Sequence, residues 1–351
     1  MSLWILTSAL LSVSVSALRN DSVAPSSNSS STVLNLLEIH SPVACGQSPH
    51  KSSTVGGANA YAGAWPWQVL IEYQSESAAA ITICGGSLIA RSWVLSAAHC
   101  FPITNNISGY TLYMGRYWLY QPTFTEQART ISNVIGYPGY QSAELGGNVV
   151  LIQLSSPVDY TDYIQPICLP SPAAPFPNGQ KCWVTGWGNI DEGVSLLSLG
   201  PLQELQVSII SMANCSMLYS DAGALDTFPS DAFCAGIPQG QSNLCLGDSG
   251  GPLVCQNSDG HWVQAGIVSF GVPCAQPNLP RVYVQVTAYS GWIQRQVTGP
   301  QIANRGAAQV RDTVGCQASP FGHTCSGCGP ATINMRVEFK LLIFLVLTAF
   351  S

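Results

Sequence analysis

Charge is scarce in this chain. Lysine and arginine number 12, aspartate and glutamate 18, and together they make up only 9% of 351 residues, for a net charge of −6. So few cations cannot build a basic patch, which excludes charge-driven binding to nucleic acid or anionic lipid. Apolar runs long enough for a membrane helix are missing too: residues 341–350 are apolar or nearly so, but ten residues do not span a bilayer. Between residues 54 and 285 no long helical periodicity intervenes. The cysteines lack metal-site spacing. The one Cys-x-x-Cys, Cys325 to Cys328, has no second pair and no βαβ context, so neither a metal nor another cofactor is expected.

What is present points outward from the cell. Thirteen cysteines are too many for a reduced cytosolic protein and read as a disulfide framework, with one left over or paired between chains. An apolar stretch over residues 3–15, ending in Val15-Ser16-Ala17, reads as a signal peptide within residues 1–17. Residues 18–53 begin Ser/Asn-rich and read as a propeptide. Asn20, Asn28, Asn106 and Asn214 each open an Asn-x-Ser sequon, as a secreted glycoprotein would carry. Residues 299–340 read as a linker with small residues suited to glycosylphosphatidylinositol attachment, and 341–351 as the hydrophobic tail of that signal, giving an extracellular or cell-surface protein.

The middle of the chain is a series of short β-type runs separated by turn residues. They cover residues 65–71, 81–89, 148–154, 181–188, 202–210, 251–255, 262–270 and 281–286. This spacing predicts an all-β barrel or sandwich. Two stretches carry chemistry. Gly247-Asp248-Ser249-Gly250-Gly251 can present the Ser249 hydroxyl on a glycine turn and leave the N–H groups of Gly247 and Ser249 free as an oxyanion hole. Taken alone it also fits an ordinary Gly-Asp-Ser-Gly loop, the lesser of the two readings. Ser96-Ala97-Ala98-His99-Cys100 closes an apolar run with a histidine that could serve as its general base.

Together these motifs resemble the trypsin/chymotrypsin-like serine proteases, over roughly residues 45–298, and the tail resembles the membrane-anchored prostasin/testisin-like branch. The resemblance implies two six-stranded Greek-key β-barrels with a C-terminal helix over residues 289–297, the barrels dividing near 160–170 with the site between them. It implies a protease domain over 54–298 and the pairs Cys45–Cys168, Cys84–Cys100, Cys182–Cys255, Cys215–Cys234 and Cys245–Cys274. It makes His99 and Ser249 catalytic, and gives Asp248 an ion pair with the amine freed at Thr54. Asn243, Ser269, Gly271 and Arg281 become the specificity pocket.

Three positions depart from that pattern. The third triad residue should be an aspartate, and the sequence has Asn148; Glu144, four residues upstream, does not fall in the motif. The activation junction is Ser53/Thr54 where the family is cut after Arg or Lys. The pocket has Asn243 at its base and Arg281 in its wall, which either plugs it or favours acidic residues. The expectation is a catalytically impaired homologue that binds a protein partner or inhibitor in its cleft. The competing expectation is a slow endopeptidase of narrow specificity, cutting after acidic residues.

Overall fold

The structure, a computed structural model, describes residues 45–50, 58–75, 81–102, 106–187, 200–225, 227–237, 249–271 and 279–298. Fourteen strands and two α-helices lie in these segments. In chain order they are β1 (Ala58–Asn59), β2 (Gln68–Gln74), β3 (Ile81–Ala90), β4 (Trp93–Ser96), β5 (Tyr110–Met114), β6 (Gln127–Arg129), β7 (Ile131–Gly136), β8 (Val150–Leu154), β9 (Lys181–Gly186), β10 (Gln203–Ile210), α1 (Met212–Asp221), β11 (Ala232–Gly236), β12 (Pro252–Gln256), β13 (Trp262–Phe270), β14 (Arg281–Gln285) and α2 (Val286–Gln296).

Two antiparallel sheets result. In one, β10-β11-β14-β13-β12-β9 closes on itself because β9 also pairs with β10, giving a six-stranded barrel with β1 added at its side. The other runs β6-β5-β2-β3-β4-β8-β7 and forms a half-barrel. Its two edges, β6 and β7, are consecutive in the chain across Thr130. The mostly β architecture with a closing helix is thus present, as one closed barrel and one half-barrel where two six-stranded barrels were expected.

Alternation drives the strands inward. In β5, Tyr110, Leu112 and Met114 are buried while Thr111 and Tyr113 are partly exposed, the period-two pattern of a strand with one wet face. β13 is buried almost throughout because it is covered on both faces. Where the sheets meet, Trp65 packs at 5.1–6.0 Å from Trp67, Trp183 and Trp262. Polar bonds fix the register there: Ser87 Oγ donates to Gln264 Oε1 (2.7 Å) and Thr185 Oγ1 to Gln68 Oε1 (2.7 Å). Apolar burial of this kind is worth about 1.5–3 kcal/mol per large side chain.

Helix α1 was not anticipated. Its apolar stripe is weak, with only Cys215 and Tyr219 buried, and what holds it is the Ser211 side chain capping Asn214 N–H (3.3 Å) and the Cys215–Cys234 disulfide. Helix α2 begins three residues earlier than expected and seats Tyr289 and Trp292 against Tyr137 of the half-barrel, at 4.8 and 5.5 Å. Disulfides also join Cys45–Cys168, Cys84–Cys100 and Cys182–Cys255. Cys245 and Cys274 lie outside the described residues.

Candidate active site

Strand pairing places the first two site residues. Ser96, at the end of β4, stands opposite Val150 at the start of β8. The chain leaving β4 turns through the short helix Ala98–Cys100, and the chain entering β8 arrives through Asn148, so His99 and Asn148 meet just beyond the paired ends. Asn148 is fully buried and His99 is partly exposed.

The hydrogen bonds at Asn148 orient its amide. The backbone N–H of His99 donates to Oδ1 (3.0 Å), and an N–H can face only the oxygen end. That leaves Nδ2 as the atom 2.9 Å from His99 Nδ1 and 2.8 Å from Ser269 Oγ. Nδ2 donates to Ser269 Oγ, and toward Nδ2 the imidazole Nδ1 accepts, as in the tautomer with its proton on Nε2; Oδ1, 3.2 Å from Nδ1, is the partner of the other tautomer. A carboxylate in this place would instead accept from Nδ1–H and leave Nε2 as the basic nitrogen. Burial lowers the His99 pKa from its ordinary value, while the amide oxygen 3.2 Å from Nδ1 and the charge of Glu144 act in the opposite sense. Among the described residues no hydrogen bond joins Glu144 to His99: the carboxylate sits exposed on the short helix Ala143–Leu145.

Ser249 is tied to the same place through its backbone. Its carbonyl accepts from Gly85 N–H (2.8 Å) and lies 3.4 Å from Cys100 Sγ. Since Cys84–Cys100 flanks both Gly85 and His99, one disulfide holds the serine turn beside the histidine. Gly250 follows with φ +86°, and a Cβ there would stand 2.2 Å from Ser96 Oγ and 2.6 Å from the Gly85 carbonyl. Only glycine fits. Gly250 N–H donates to Val268 (2.9 Å), which brings the turn alongside Ser269 on β13.

A carboxylate that the sequence did not single out braces the other side. Asp231, just before β11, accepts from the backbone N–H of Gly147 (3.0 Å) and from the hydroxyl of Tyr289 on α2. Gly146 and Gly147 both have positive φ, +92° and +72°, and a Cβ on Gly146 would stand 2.8 Å from Asp231 Oδ1. The double glycine before Asn148 is the signal that could have revealed this close approach.

Other expected positions fall as follows. Arg281 opens β14, and its Cγ is 4.0 Å from where a Cβ on Gly271 would be, so its stem runs beside the strand end that carries Ser269. Asn106 is exposed, with its Oδ1 accepting from Ser108 N–H (3.1 Å), and Asn214 is exposed on the first turn of α1. Asn243, Gly247, Asp248, Ser53, Thr54, Asn20 and Asn28 lie outside the described residues. A cavity of about 820 Å³ adjoins His99, walled by Phe101, Tyr110, Tyr137 and Tyr140. His99 also lies near Cys84 and Cys100, but both sulfurs are committed to the disulfide and neither is a thiolate that could bind a metal.

This geometry agrees with the comparisons. The profile of the Trypsin family matches residues 54–293. The chain belongs to the trypsin family of serine proteases. Tryptase of Mus musculus is 39% identical over 269 residues, covering 75% of this chain and 96% of its own length. Testisin of Homo sapiens is 39% identical over 263 residues, 72% of this chain and 80% of its own. In this trypsin-family protein His99 and Ser269 of β13 flank the buried amide of Asn148.

Proposed function

We propose that this chain is a pseudoprotease, a secreted trypsin-family homologue that binds a protein partner or an inhibitor in its cleft and hydrolyses little or nothing. One observation carries the reading: the atom nearest His99 Nδ1 on Asn148 is the amide nitrogen, at 2.9 Å, a group that can only donate. A histidine so held has its lone pair turned away from the serine and cannot take the Ser249 proton. It also lacks the neighbouring negative charge that would stabilise an imidazolium. Replacing the triad aspartate by asparagine costs about 10⁴ in turnover in an otherwise intact protease. The Ser53/Thr54 junction and the Asn243/Arg281 pair support the same reading. The four disulfides among the described residues support an extracellular setting, and the tail supports attachment by a lipid anchor, as in the prostasin/testisin-like branch.

The test compares hydrolysis of a peptide panel by the unmodified protein, cut at Ser53/Thr54, with hydrolysis by Asn148→Asp. Turnover restricted to the Asn148→Asp protein is the expected result. Comparable turnover by both would sink the reading. The Arg281 stem beside Gly271 favours a second reading, a slow endopeptidase cutting after acidic residues, which cleavage after Asp or Glu by the unmodified protein would establish.

A further inference from the structure

The sequons at Asn106 and Asn214 both fall among the described residues, and their surroundings differ. Asn106 is exposed and leads into the short helix Ile107–Gly109, where its Oδ1 accepts from Ser108 N–H (3.1 Å). That bond leaves the amide Nδ2 unused, and three consecutive residues can make such a turn without the rest of the fold. Asn214 lies in α1, where positions i and i+2 do not face each other, and its neighbour Cys215 is fully buried in a disulfide. Ile107, next to Asn106, forms part of the wall of the cavity that also takes in His99. We propose that Asn106 carries an N-linked glycan whose first sugars cover this cavity, so that the glycan limits what reaches His99. This goes beyond the pseudoprotease reading and holds whether or not the site hydrolyses peptides.

Attachment needs only chemistry that a secreted chain meets. Nδ2 attacks the anomeric carbon of a lipid-linked oligosaccharide, and the new C–N bond replaces the C–O bond to pyrophosphate. The lipid pyrophosphate leaves with the bonding pair, the amide gives one proton to a base of the transferase, and nothing is oxidised or reduced. The four disulfides among the described residues support passage through the oxidising compartment where this happens. The cavity suits the sugar that would cover it. Phe101 stacks on Tyr110 at 4.6 Å, and Tyr137 and Tyr140 come from the segment after β7. Aromatic faces pack on the C–H face of a sugar ring, while the outer tyrosine hydroxyls and the Gln141 amide can bond to its hydroxyls. Among the described residues no carboxylate, ammonium or guanidinium lines the cavity, which fits a neutral sugar better than an anion or a cation. Ile107 is 42% exposed, and a glycan beside it would take apolar surface out of water.

The test uses the full chain secreted from a eukaryotic host, beside Ser108→Ala, Asn106→Gln and Asn214→Gln. Ser108→Ala ends the sequon but keeps the backbone N–H that Asn106 Oδ1 accepts. Peptide mass spectrometry should find a glycan on Asn106 in the unmodified chain and in Asn214→Gln, and none there in the other two. Hydroxyl-radical footprinting then reads how open His99, Tyr137 and Tyr140 are, with His261, on the turn between β12 and β13, as internal reference. Labelling of the three should rise several-fold in Ser108→Ala and Asn106→Gln while His261 stays constant. The same rise should follow enzymatic release of the glycan from the folded, unmodified chain, a treatment that alters no side chain but Asn106. A bare Asn106 in the secreted protein would overturn the proposal. So would a glycosylated Asn106 whose release leaves the labelling of all three side chains unchanged, or a rise that His261 shares equally. Peptide hydrolysis by the unmodified protein would fail the pseudoprotease reading alone.

Discussion

The side-chain nitrogen of Asn148 lies 2.9 Å from Nδ1 of His99, while the oxygen of the same amide is held by the His99 backbone N–H at 3.0 Å. The second contact dictates the first. Because that N–H can only donate, it holds the oxygen end of the amide, and Ser269 Oγ at 2.8 Å holds the nitrogen end. Asparagine here differs from aspartate by one heavy atom, and that atom is a donor where a carboxylate offers only acceptors.

The first prediction concerns pH. Burial lowers the His99 pKa below 6.5, so the ring should titrate below that value by NMR. The sign for stability follows from linkage: with the folded pKa depressed, the unfolded chain takes up the proton first, and stability falls as pH drops from 6.5 through the folded pKa. Asn148→Asp adds a negative charge beside Nδ1 and should move the titration upward. No upward movement would mean that the new carboxylate does not face the ring.

Asp231 should matter through the turn it holds. Asp231→Ala removes the acceptor of Gly147 N–H and of the Tyr289 hydroxyl, and should cost about 1–3 kcal/mol in chemical denaturation. Asp231→Asn keeps an oxygen for Gly147 and should lose less. The two variants destabilising equally would contradict a role in bracing the turn before Asn148.

Gly250→Ala should be far more disruptive than its size suggests. At φ +86° the new Cβ meets Ser96 Oγ and the Gly85 carbonyl, both fixed by the Ser96 Oγ bond to that carbonyl (2.7 Å). A loss on the order of 3 kcal/mol or more, together with loss of serine reactivity even in the Asn148→Asp background, is expected. Gly260→Ala provides the comparison, since its φ is +83° but nothing lies within 4 Å of a Cβ there. Thermal denaturation of the two variants should separate steric collision from backbone strain.

The Cys84–Cys100 bridge should be the most consequential disulfide for the site. Its sequence separation is 16, and a loop of that size contributes about 3 kcal/mol through the unfolded state. Replacing both cysteines by serine should also loosen the Gly85–Ser249 contact, so loss of serine reactivity should exceed that caused by replacing Cys215 and Cys234. Equal effects of the two replacements would argue against a special role.

Much of this was legible in the sequence because the governing signals are local. The glycines around Ser249 and the Ala-Ala-His-Cys end of β4 carry their geometry in a few consecutive residues. The strands over Ile81–Ala90 and Trp262–Phe270 stand out by apolar, β-branched composition. Short or half-exposed elements do not. Strand β7 exposes Ser132 and Asn133, and α1 depends on a cap and a disulfide more than on an apolar stripe. Asn148 was readable as a missing charge, but the direction of its amide was not. That direction comes from a backbone N–H 49 residues away in sequence and a serine 121 residues away, contacts that only the folded sheets create. Asp231 was silent for the same reason, since Gly147 and Tyr289 lie 84 and 58 residues from it.

The most direct test of the central claim is labelling of the active serine by a fluorophosphonate in the unmodified protein, Asn148→Asp and Ser249→Ala, each cut at Ser53/Thr54. The account predicts rapid labelling in Asn148→Asp, a rate lower by up to about 10⁴ in the unmodified protein, and none in Ser249→Ala. Labelling of the unmodified protein at the rate of Asn148→Asp, abolished by Ser249→Ala, would show that His99 does receive the serine proton and would contradict the account.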